Sequence, residues 1–155
     1  MKKTNALRIL DAVEISYTAR EYDVSDGAIS GVAVAAKMGQ PPETVFKTLV
    51  AEGKHTGLNV FVIPCSAELD LKKAASAAGD KNIEMIKARE LEPKTGYVHG
   101  GCSPIGMKKP LPTYIDETAI LYDAIYVSGG KIGLQIEIAP ADLHKMTNAM
   151  FCDLT

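Results

Sequence analysis

The sequence predicts an α+β domain whose mixed or antiparallel sheet can curl into a barrel. Roughly six or seven short apolar runs have the length of strands, and four other segments have helical spacing or helix caps. These segments do not follow a regular βαβ alternation. Neither GxGxxG nor GxxxxGKS/T occurs, which disfavours the nucleotide-binding folds that carry those motifs. A chain of 155 residues fits a single domain spanning residues 1–155.

In the first half of the chain, hydrophobic spacing predicts two helices and three strands. The predicted elements are a helix capped by Thr4 or Asn5 and ending near Glu14, a strand at 15–21, a helix at 28–38, and a hairpin of strands at 45–51 and 58–63. Apolar residues three apart indicate the first helix, and alternation indicates the strand. The second helix is rich in Val and Ala and stops before Gly39.

In the second half, caps and prolines mark the element ends. The predicted elements are a helix at 71–78 between Asp70 and Gly79, a strand at 83–86, at most one helical turn at 88–91, strands at 113–115, 124–127 and 132–138, and a helix at 140–148 with Pro140 in its first position. The stretch from Lys94 to Pro112 holds four glycines and three prolines. This composition predicts a long, shaped loop, and such loops are usually functional.

Lys47 is a charged residue inside an apolar strand segment, Val45-Phe46-Lys47-Thr48-Leu49-Val50. Alternation places its side chain on the face of Val45 and Leu49. A buried ammonium is unfavourable unless it meets a carboxylate, a phosphate or a carbonyl oxygen, so this lysine is a candidate ligand-binding residue. A lysine stem can also cover apolar surface while its head reaches water. The strand pattern alone leaves both interpretations open.

Two glycine-rich segments are the other candidates for binding. Gly100 and Gly101 let the backbone approach a ligand closely and can offer free N–H groups to an anionic oxygen. His99 and Cys102 in the same segment suggest a nucleophilic pair, but no acid that would orient the histidine is evident, and a packed cysteine in a turn explains the pattern equally. Ser128-Gly129-Gly130-Lys131 follows an apolar strand and predicts a tight turn that presents Ser128.

Charge and cysteine content exclude several classes of protein. The net charge of −2 disfavours a protein that coats DNA or RNA through bulk charge, although a local basic face remains open. Three widely spaced cysteines without a CxxC motif predict neither a metal site nor a disulfide framework, and no cofactor is expected. The segment after Met1 contains Arg8, Asp11 and Glu14, unlike a signal peptide or membrane anchor. We therefore expect a soluble, cytoplasmic protein.

Four motifs, taken in order, resemble the YbaK/EbsC family of Cys-tRNA(Pro) deacylases. They lie at residues 45–50, 69–73, 95–106 and 125–134, and the resemblance runs from about Ile15 to Phe151. Each motif alone is weak, whereas the four in order are specific. The family is related to the editing domains of bacterial prolyl-tRNA synthetases. The resemblance implies a mixed, mostly antiparallel, β-barrel-like sheet with flanking helices, formed by one editing domain.

The resemblance also implies trans editing, which is the removal of cysteine wrongly attached to tRNA(Pro) and, to some extent, from Cys-tRNA(Cys). It assigns catalysis to Lys47 and substrate binding to Tyr22, Thr48, Gly100, Gly101, Ser128 and Gln135. Gln135 stands where the family often has Asp, so any electrostatic help from that acid is absent here. The expected partners are the acceptor end of an aminoacyl-tRNA and, in a ternary complex, prolyl-tRNA synthetase.

The resemblance further implies substrate-assisted chemistry, which would explain why the residues supply no convincing set of nucleophile, base and orienting acid. In such a reaction the sulfur of the cysteine substrate attacks its own ester carbonyl and closes a thiolactone. Two alternatives stay open from the sequence. One is an editing enzyme for Ala-tRNA(Pro) or Ser-tRNA that activates water, and the other is a module that binds tRNA or a synthetase without catalysis.

Overall fold

The backbone forms five α-helices and eight strands within residues 2–155, which are the residues that the computed structural model describes. The helices are α1 Asn5–Ala12, α2 Gly31–Met38, α3 Leu71–Ala78, α4 Ala88–Thr95 and α5 Pro140–Thr147. The strands are β1 Thr18–Glu21, β2 Phe46–Gly53, β3 Gly57–Pro64, β4 Ile83–Met85, β5 Thr113–Asp116, β6 Ile125–Ser128, β7 Leu134–Ile138 and β8 Met150–Cys152. Short 3-10 helices cover Pro42–Thr44 and Glu117–Leu121. None of these helices is long and apolar enough to cross a membrane.

The strands make two sheets that meet at a single backbone bridge. The five-stranded sheet has the order β4-β2-β3-β5-β8, and the three-stranded sheet has the order β1-β7-β6. The pairs β3–β5 and β5–β8 are parallel, and the other pairs are antiparallel. Val45, just before β2, bridges to Tyr126 of β6. The predicted mixed, mostly antiparallel sheet with flanking helices is therefore confirmed. The described strands do not close a barrel.

Alternation along β2 sends its side chains to two different hydrophobic clusters. Phe46 and Val50 enter the main core, which lies between the two sheets and consists mostly of Ala, Val, Ile and Leu. Leu49 and Ala51 point to the opposite face and pack in the cluster that also holds residues of α3. Lys47 shares the face of Leu49, as the strand pattern predicts.

The prediction of at most one helical turn before Pro93 is wrong, because α4 continues through the proline to Thr95. Proline removes one intrahelical hydrogen bond. Other contacts offset that loss in this short helix. The Thr95 hydroxyl donates to the Leu91 carbonyl at 2.6 Å, and the Gly96 N–H donates to the Glu92 carbonyl at 2.8 Å. An ion pair between Lys94 and Glu90, one turn apart, adds to these contacts.

The strand predictions need smaller corrections. The predicted strand at 132–138 begins only at Leu134, whose N–H closes a turn onto the Lys131 carbonyl. The predicted strand at 15–21 starts only at Thr18, because Glu14 adopts a left-handed conformation, with φ of 59°, and the Ile15 N–H still bonds the Leu10 carbonyl at the end of α1. The sequence analysis also missed β8, a three-residue strand that pairs in parallel with β5. Such a short edge strand has no periodic signal of its own and depends on its neighbour.

Asp80 ties the turn of the β2–β3 hairpin to the segment that precedes β4. One carboxylate oxygen accepts hydrogen bonds from the His55 N–H at 3.0 Å and from the Thr56 N–H and hydroxyl, both at 2.8 Å. The other oxygen accepts from the Lys81 and Asn82 N–H groups. These donors, above all the Thr56 N–H, hold the pKa of Asp80 well below its ordinary value of 3.8.

Asp80→Asn is expected to lower the melting temperature at neutral pH, because one acceptor oxygen becomes an NH₂ group that faces backbone donors. A depressed folded-state pKa stabilises the fold above the ordinary carboxyl pKa, and that contribution is lost as the pH falls through the folded-state value. The difference between wild type and variant should therefore shrink as the pH falls below about 4. Thermal melts over a pH series measure this. Equal melting temperatures of wild type and variant at neutral pH would show that the hydrogen bonds of Asp80 do not stabilise the fold.

Candidate functional site

A cleft of about 320 Å³ lies between the N-terminus of α2, the start of β2 and the long loop that follows α4. Its volume is at the lower end of the range for small-molecule sites. The residues that line it come from eight separate stretches of the chain: Tyr22, Ile29, Ser30, Gly31, Val32, Val34, Val45, Phe46, Lys47, Thr48, Leu49, Cys65, Leu91, His99, Gly100, Cys102, Ser128 and Gln135. A larger and more open depression surrounds Lys54 and His55 at the hairpin turn, but it gathers no comparable set of unpaired groups.

The cleft brings together nearly all the residues that the sequence analysis assigned to the site. Those that line it are Tyr22, Lys47, Thr48, Gly100, Ser128 and Gln135. Gly101 does not line it. A Cβ on Gly101 would lie 3.2 Å from the Lys131 Cα and the Ile132 nitrogen, so this glycine lets the loop lie against the 128–131 turn. Its assignment to substrate binding stays a prediction.

Lys47 brings a positive charge to the cleft that no carboxylate neutralises within residues 2–155. The side chain is half-buried in β2, and its Nζ has no carboxylate oxygen within 4.0 Å in that part of the chain. No Asp or Glu is among the described residues that line the cleft. Ser30 and Gly31 place the N-terminus of α2, the positive end of its dipole, at the same cleft. The cleft is therefore suited to an anionic group or to an oxygen that gains negative charge.

Two of the residues that line the cleft each carry a buried oxygen atom that has no hydrogen-bond partner among the described residues. These atoms are Thr48 Oγ1 and Gln135 Oε1. Leaving a buried acceptor unpaired is costly, so an orphaned pair in one cleft is an observation that needs an explanation. A donor group, such as an ammonium or a hydroxyl, is the kind of partner that these atoms lack.

Gly100 forms a narrow part of the wall. Its φ is +86°, a backbone conformation that L side chains rarely adopt, and a Cβ there would lie 3.2 Å from Ile29 Cδ1 and 3.6 Å from Ile132 Cγ1. Its N–H makes no hydrogen bond within residues 2–155. The glycine thus keeps the wall thin and leaves a backbone donor at the cleft.

Comparison with known proteins assigns the chain to a family. A family model described as "Aminoacyl-tRNA editing domain" matches residues 28–146. The chain belongs to the aminoacyl-tRNA editing family. A curated relative from Enterococcus faecalis, named "Putative Cys-tRNA(Pro)/Cys-tRNA(Cys) deacylase EbsC", is 47% identical to this chain over 99% of the chain and 94% of the relative.

Solved structures share the fold over nearly the whole length of this chain. A protein described as "a putative trans-editing enzyme for prolyl tRNA synthetase" has a TM-score of 0.85 and 26% identity, covering 100% of this chain and 99% of that one. The hypothetical protein APE2540 has a TM-score of 0.89 and covers 97% of this chain and 99% of that one, and at 21% identity it shows the fold alone. The mixed sheet with flanking helices that the sequence resemblance implied is thus also the fold of these two solved structures.

The thiols of the editing domain are poorly suited to act as nucleophiles. Burial raises the pKa of Cys102 to about 12, and no neighbouring positive charge opposes the shift. Burial also raises the pKa of Cys65, although the nearby Lys47 ammonium acts in the opposite direction. The described residues show no hydrogen bond between Cys102 and His99, even though both line the cleft. Cys102 and His99 therefore do not form a catalytic pair. A catalytic cysteine needs a stabilised thiolate, and neither a hydrogen bond nor a nearby charge within residues 2–155 stabilises one here.

Cys102→Ala is expected to keep catalysis within about threefold of wild type, because the buried thiol stays protonated at neutral pH. Deacylation rates on one preparation, corrected for the folded fraction, measure this. The editing domain loses some packing in the variant, so a lower melting temperature is expected as well. A rate loss beyond about a hundredfold, typical of removing a catalytic group, would instead make Cys102 the nucleophile.

The Ser128 turn is held in place by the start of the chain. The Thr4 hydroxyl donates to the Gly129 carbonyl at 2.6 Å and also accepts from the Leu7 N–H as the N-cap of α1. Ser128 Oγ accepts from the Gly130 N–H at 3.2 Å, which fixes the hydroxyl inside its own turn. The sequence analysis identified the helix cap and the turn but not the contact between them.

Some residues of the cleft were missed by the sequence analysis. Ser30 caps α2, and its hydroxyl accepts from the Ala33 N–H, so the helix begins at Gly31 rather than at residue 28. A serine before an apolar run was the available signal. Gly31 allows α2 to approach β3, because a Cβ there would lie 2.3 Å from Cys65 Cβ. Cys65 and Leu91 gave no signal, since only tertiary packing brings them to the cleft.

Proposed function

We propose that this editing domain removes cysteine from Cys-tRNA(Pro) in trans, with Cys-tRNA(Cys) as a second substrate. Family membership supports deacylation of an aminoacyl-tRNA, and the name of the 47% identical relative supports cysteine as the amino acid. The observation that carries the proposal is the cleft itself. It combines one unneutralised ammonium and two unpaired oxygen atoms, while the described residues contribute no carboxylate that could activate water.

The substrate supplies the nucleophile in this proposal. The cysteine sulfur, as thiolate, attacks the ester carbonyl carbon, and a C–S bond forms. The bond from that carbon to the ribose oxygen then breaks, and the ribose oxygen takes a proton from water. The products are free tRNA and a cyclic thiolactone, which water opens to cysteine. An aminoacyl ester is already activated, so the protein needs only to position it and stabilise the charge that develops on the carbonyl oxygen.

Each predicted site residue has a part in this reaction. Lys47 stabilises the carbonyl oxygen or binds the phosphate of the terminal adenosine. Thr48 and Gln135 accept hydrogen bonds from the α-ammonium or ribose hydroxyl groups. Gly100 offers its backbone N–H, with Gly101 supporting the same loop, and Tyr22 and Ser128 bound the amino-acid side chain. Gln135 is neutral, so this cleft lacks the acid that the family often carries at that position.

The partners follow from the substrate. The acceptor end of the tRNA enters the cleft, and prolyl-tRNA synthetase presents the mischarged tRNA in a ternary complex. The net charge of −2 supports this arrangement, because a chain with few excess cations binds a polyanion weakly by itself. Adding the synthetase should therefore lower the concentration of editing domain needed for half-maximal deacylation.

A panel of aminoacyl-tRNAs tests the proposed function. Purified protein is incubated with Cys-tRNA(Pro), Cys-tRNA(Cys), Ala-tRNA(Pro) and Ser-tRNA, and ester hydrolysis is followed with and without prolyl-tRNA synthetase. We expect the highest kcat/KM for Cys-tRNA(Pro). Faster release of alanine or serine would favour an editing enzyme that activates water. Binding of all four tRNAs without hydrolysis would identify a non-catalytic module.

A further inference from the structure

The segment between β1 and α2, residues 22–30, forms one wall of the cleft without being part of any helix or strand. Tyr22 begins the wall, and Ile29 and Ser30 end it. The residues between, from Asp23 to Ala28, are all exposed to solvent. Internal turns shape this segment, since Asp23 accepts from the Ser25 N–H and Asp26 accepts from the Ala28 N–H. These bonds do not attach the segment to the rest of the protein.

Lys37, in the last turn of α2, makes that attachment. Its Nζ donates to the Asp23 carbonyl at 2.7 Å, to Asp26 Oδ1 at 2.8 Å and to the Ala28 carbonyl at 2.8 Å. An ammonium has three protons, so all its donors are used on this one segment. The ammonium also lies 6.0 Å from the centroid of the Tyr22 ring, within the range of a cation–π contact.

The same segment reaches the opposite wall of the cleft. Ile29 packs over Gly100, where a Cβ would come within 3.2 Å of the Ile29 Cδ1 atom. The Tyr22 N–H bonds the Gly133 carbonyl at 3.1 Å, which fixes only the beginning of the segment. Ile29, near the other end, lies between the Ala28 carbonyl that Lys37 binds and Ser30, which caps α2.

An interaction of Lys37 with the α2 dipole does not explain this geometry. A lysine in the last turn of a helix stabilises the negative end of the dipole even when its head is in water. Here the Lys37 ammonium donates to oxygen atoms of the 22–30 segment, and the side chain is only 20% exposed. Fixing the Lys37 side chain costs conformational entropy. The hydrogen bonds that offset this cost order the 22–30 segment of the cleft wall and not the helix.

We propose that Lys37 is a positioning residue for substrate selection, which holds Tyr22 and Ile29 at the distance that admits cysteine and excludes bulkier amino acids. The inference rests on the proposed function, because it names a determinant of selectivity in the same cleft. Lys37 touches no reacting atom in this proposal. It acts indirectly, by fixing the positions of Tyr22 and Ile29 in the cleft wall.

The test compares two substrates that carry the same thiol. Cysteinyl-tRNA(Pro) and penicillaminyl-tRNA(Pro), which has two additional methyl groups beside the sulfur, are assayed with wild type, Lys37→Met, Lys37→Arg and the control Lys145→Met. Lys145 occupies the equivalent last turn of α5 and has no ion-pair partner within residues 2–155. The quantity of interest is the ratio of kcat/KM for the two substrates, since a change in the folded fraction cancels from it.

We expect Lys37→Met to lower the preference for cysteine by about tenfold, the usual scale of selectivity from a methyl-sized difference in a pocket. Lys37→Arg, which keeps the charge and donors, should restore most of the preference, and Lys145→Met should leave it unchanged. A ratio within about twofold of wild type in Lys37→Met, with lower activity on both substrates, would overturn the inference and make Lys37 a folding residue.

Amide hydrogen exchange on the free protein separates this inference from the proposed function. Lys37→Met should accelerate exchange at residues 23–29, with the β2–β3 hairpin unchanged. If wild type released no amino acid from any tRNA, the proposed function would fail, and selectivity in tRNA editing would fail with it. Unchanged exchange at residues 23–29 would overturn the positioning role whatever the activity.

Discussion

Lys47→Met should reduce Cys-tRNA(Pro) deacylation by about 10²–10³-fold, the usual loss when one group that stabilises a developing oxyanion is removed. Methionine keeps much of the length and apolar character of the lysine stem but cannot donate a hydrogen bond or carry charge. The fold should survive, because the described residues hold no carboxylate within 4.0 Å of the Lys47 ammonium. Removing a half-buried cation that lacks an ion pair should leave the melting temperature equal to or above that of wild type.

The matched control is Lys54→Met, at the far end of the same hairpin. Lys54 is exposed and lies outside the 320 Å³ cleft, so its variant should deacylate at the wild-type rate. Single-turnover hydrolysis and thermal melts on the same preparations provide both readouts. Activity of Lys47→Met within about threefold of wild type would remove Lys47 from the chemistry. Lost activity accompanied by a large drop in melting temperature would instead assign a structural role.

Replacing the substrate thiol with a methyl group should lower turnover by about a thousandfold or more. 2-Aminobutyryl-tRNA(Pro) has nearly the shape of the cysteine substrate and should bind the cleft, but it has no nucleophile. A pocket alone separates two such ligands by only about 10–200-fold, so a larger ratio requires a chemical cause. A thiol with a pKa near 8.5 is partly ionised at neutral pH, whereas the hydroxyl of a serine substrate is not. Seryl-tRNA(Pro) should therefore also react slowly.

Single-turnover release of amino acid from the three matched tRNAs measures this, together with capture of the cyclic thiolactone by an added amine. Binding of the 2-aminobutyryl substrate, measured as competition against Cys-tRNA(Pro), serves as the control that the cleft still accepts it. Comparable rates for cysteine and 2-aminobutyrate would establish water as the nucleophile. The protein would then be an editing enzyme that activates water, and His99 would become the first candidate for a base in the cleft.

Local signals in the sequence were sufficient for most of the fold. Alternation predicted the β2–β3 hairpin, and Asp70 and Gly79 predicted both ends of α3, because caps act within a few residues. The continuation of α4 past Pro93 was not predictable in this way. It depends on the Thr95 side chain and on an ion pair, which offset the missing N–H.

Less of the candidate site than of the fold was predictable from local signals in the sequence. The sequence pattern itself indicated Lys47 as a charge in an apolar strand, the Gly100–Gly101 pair, and Ser128 at the end of another strand. The assignments of Tyr22, Thr48 and Gln135 came from the family resemblance. Leu91 and Cys65 reach the cleft only through tertiary packing, from α4 and from the end of β3. Lys37 was equally invisible, since a lysine near a helix end is ordinary in sequence, and its three acceptors lie on a segment without periodicity.

The pairing of β1 with β7 sets the order in which this molecule can become active during its own synthesis. Thr18 pairs with Glu137, and Gly133 accepts the backbone bond that fixes Tyr22. A nascent chain that has emerged from the ribosome only as far as the 128–131 turn has Lys47 and the hairpin but neither Gln135 nor the anchor for the Tyr22 wall. The cleft is completed only when strand β7 is available, after most of the chain has been translated. Truncated products of interrupted translation that end before β7 would therefore contain the lysine without a finished pocket.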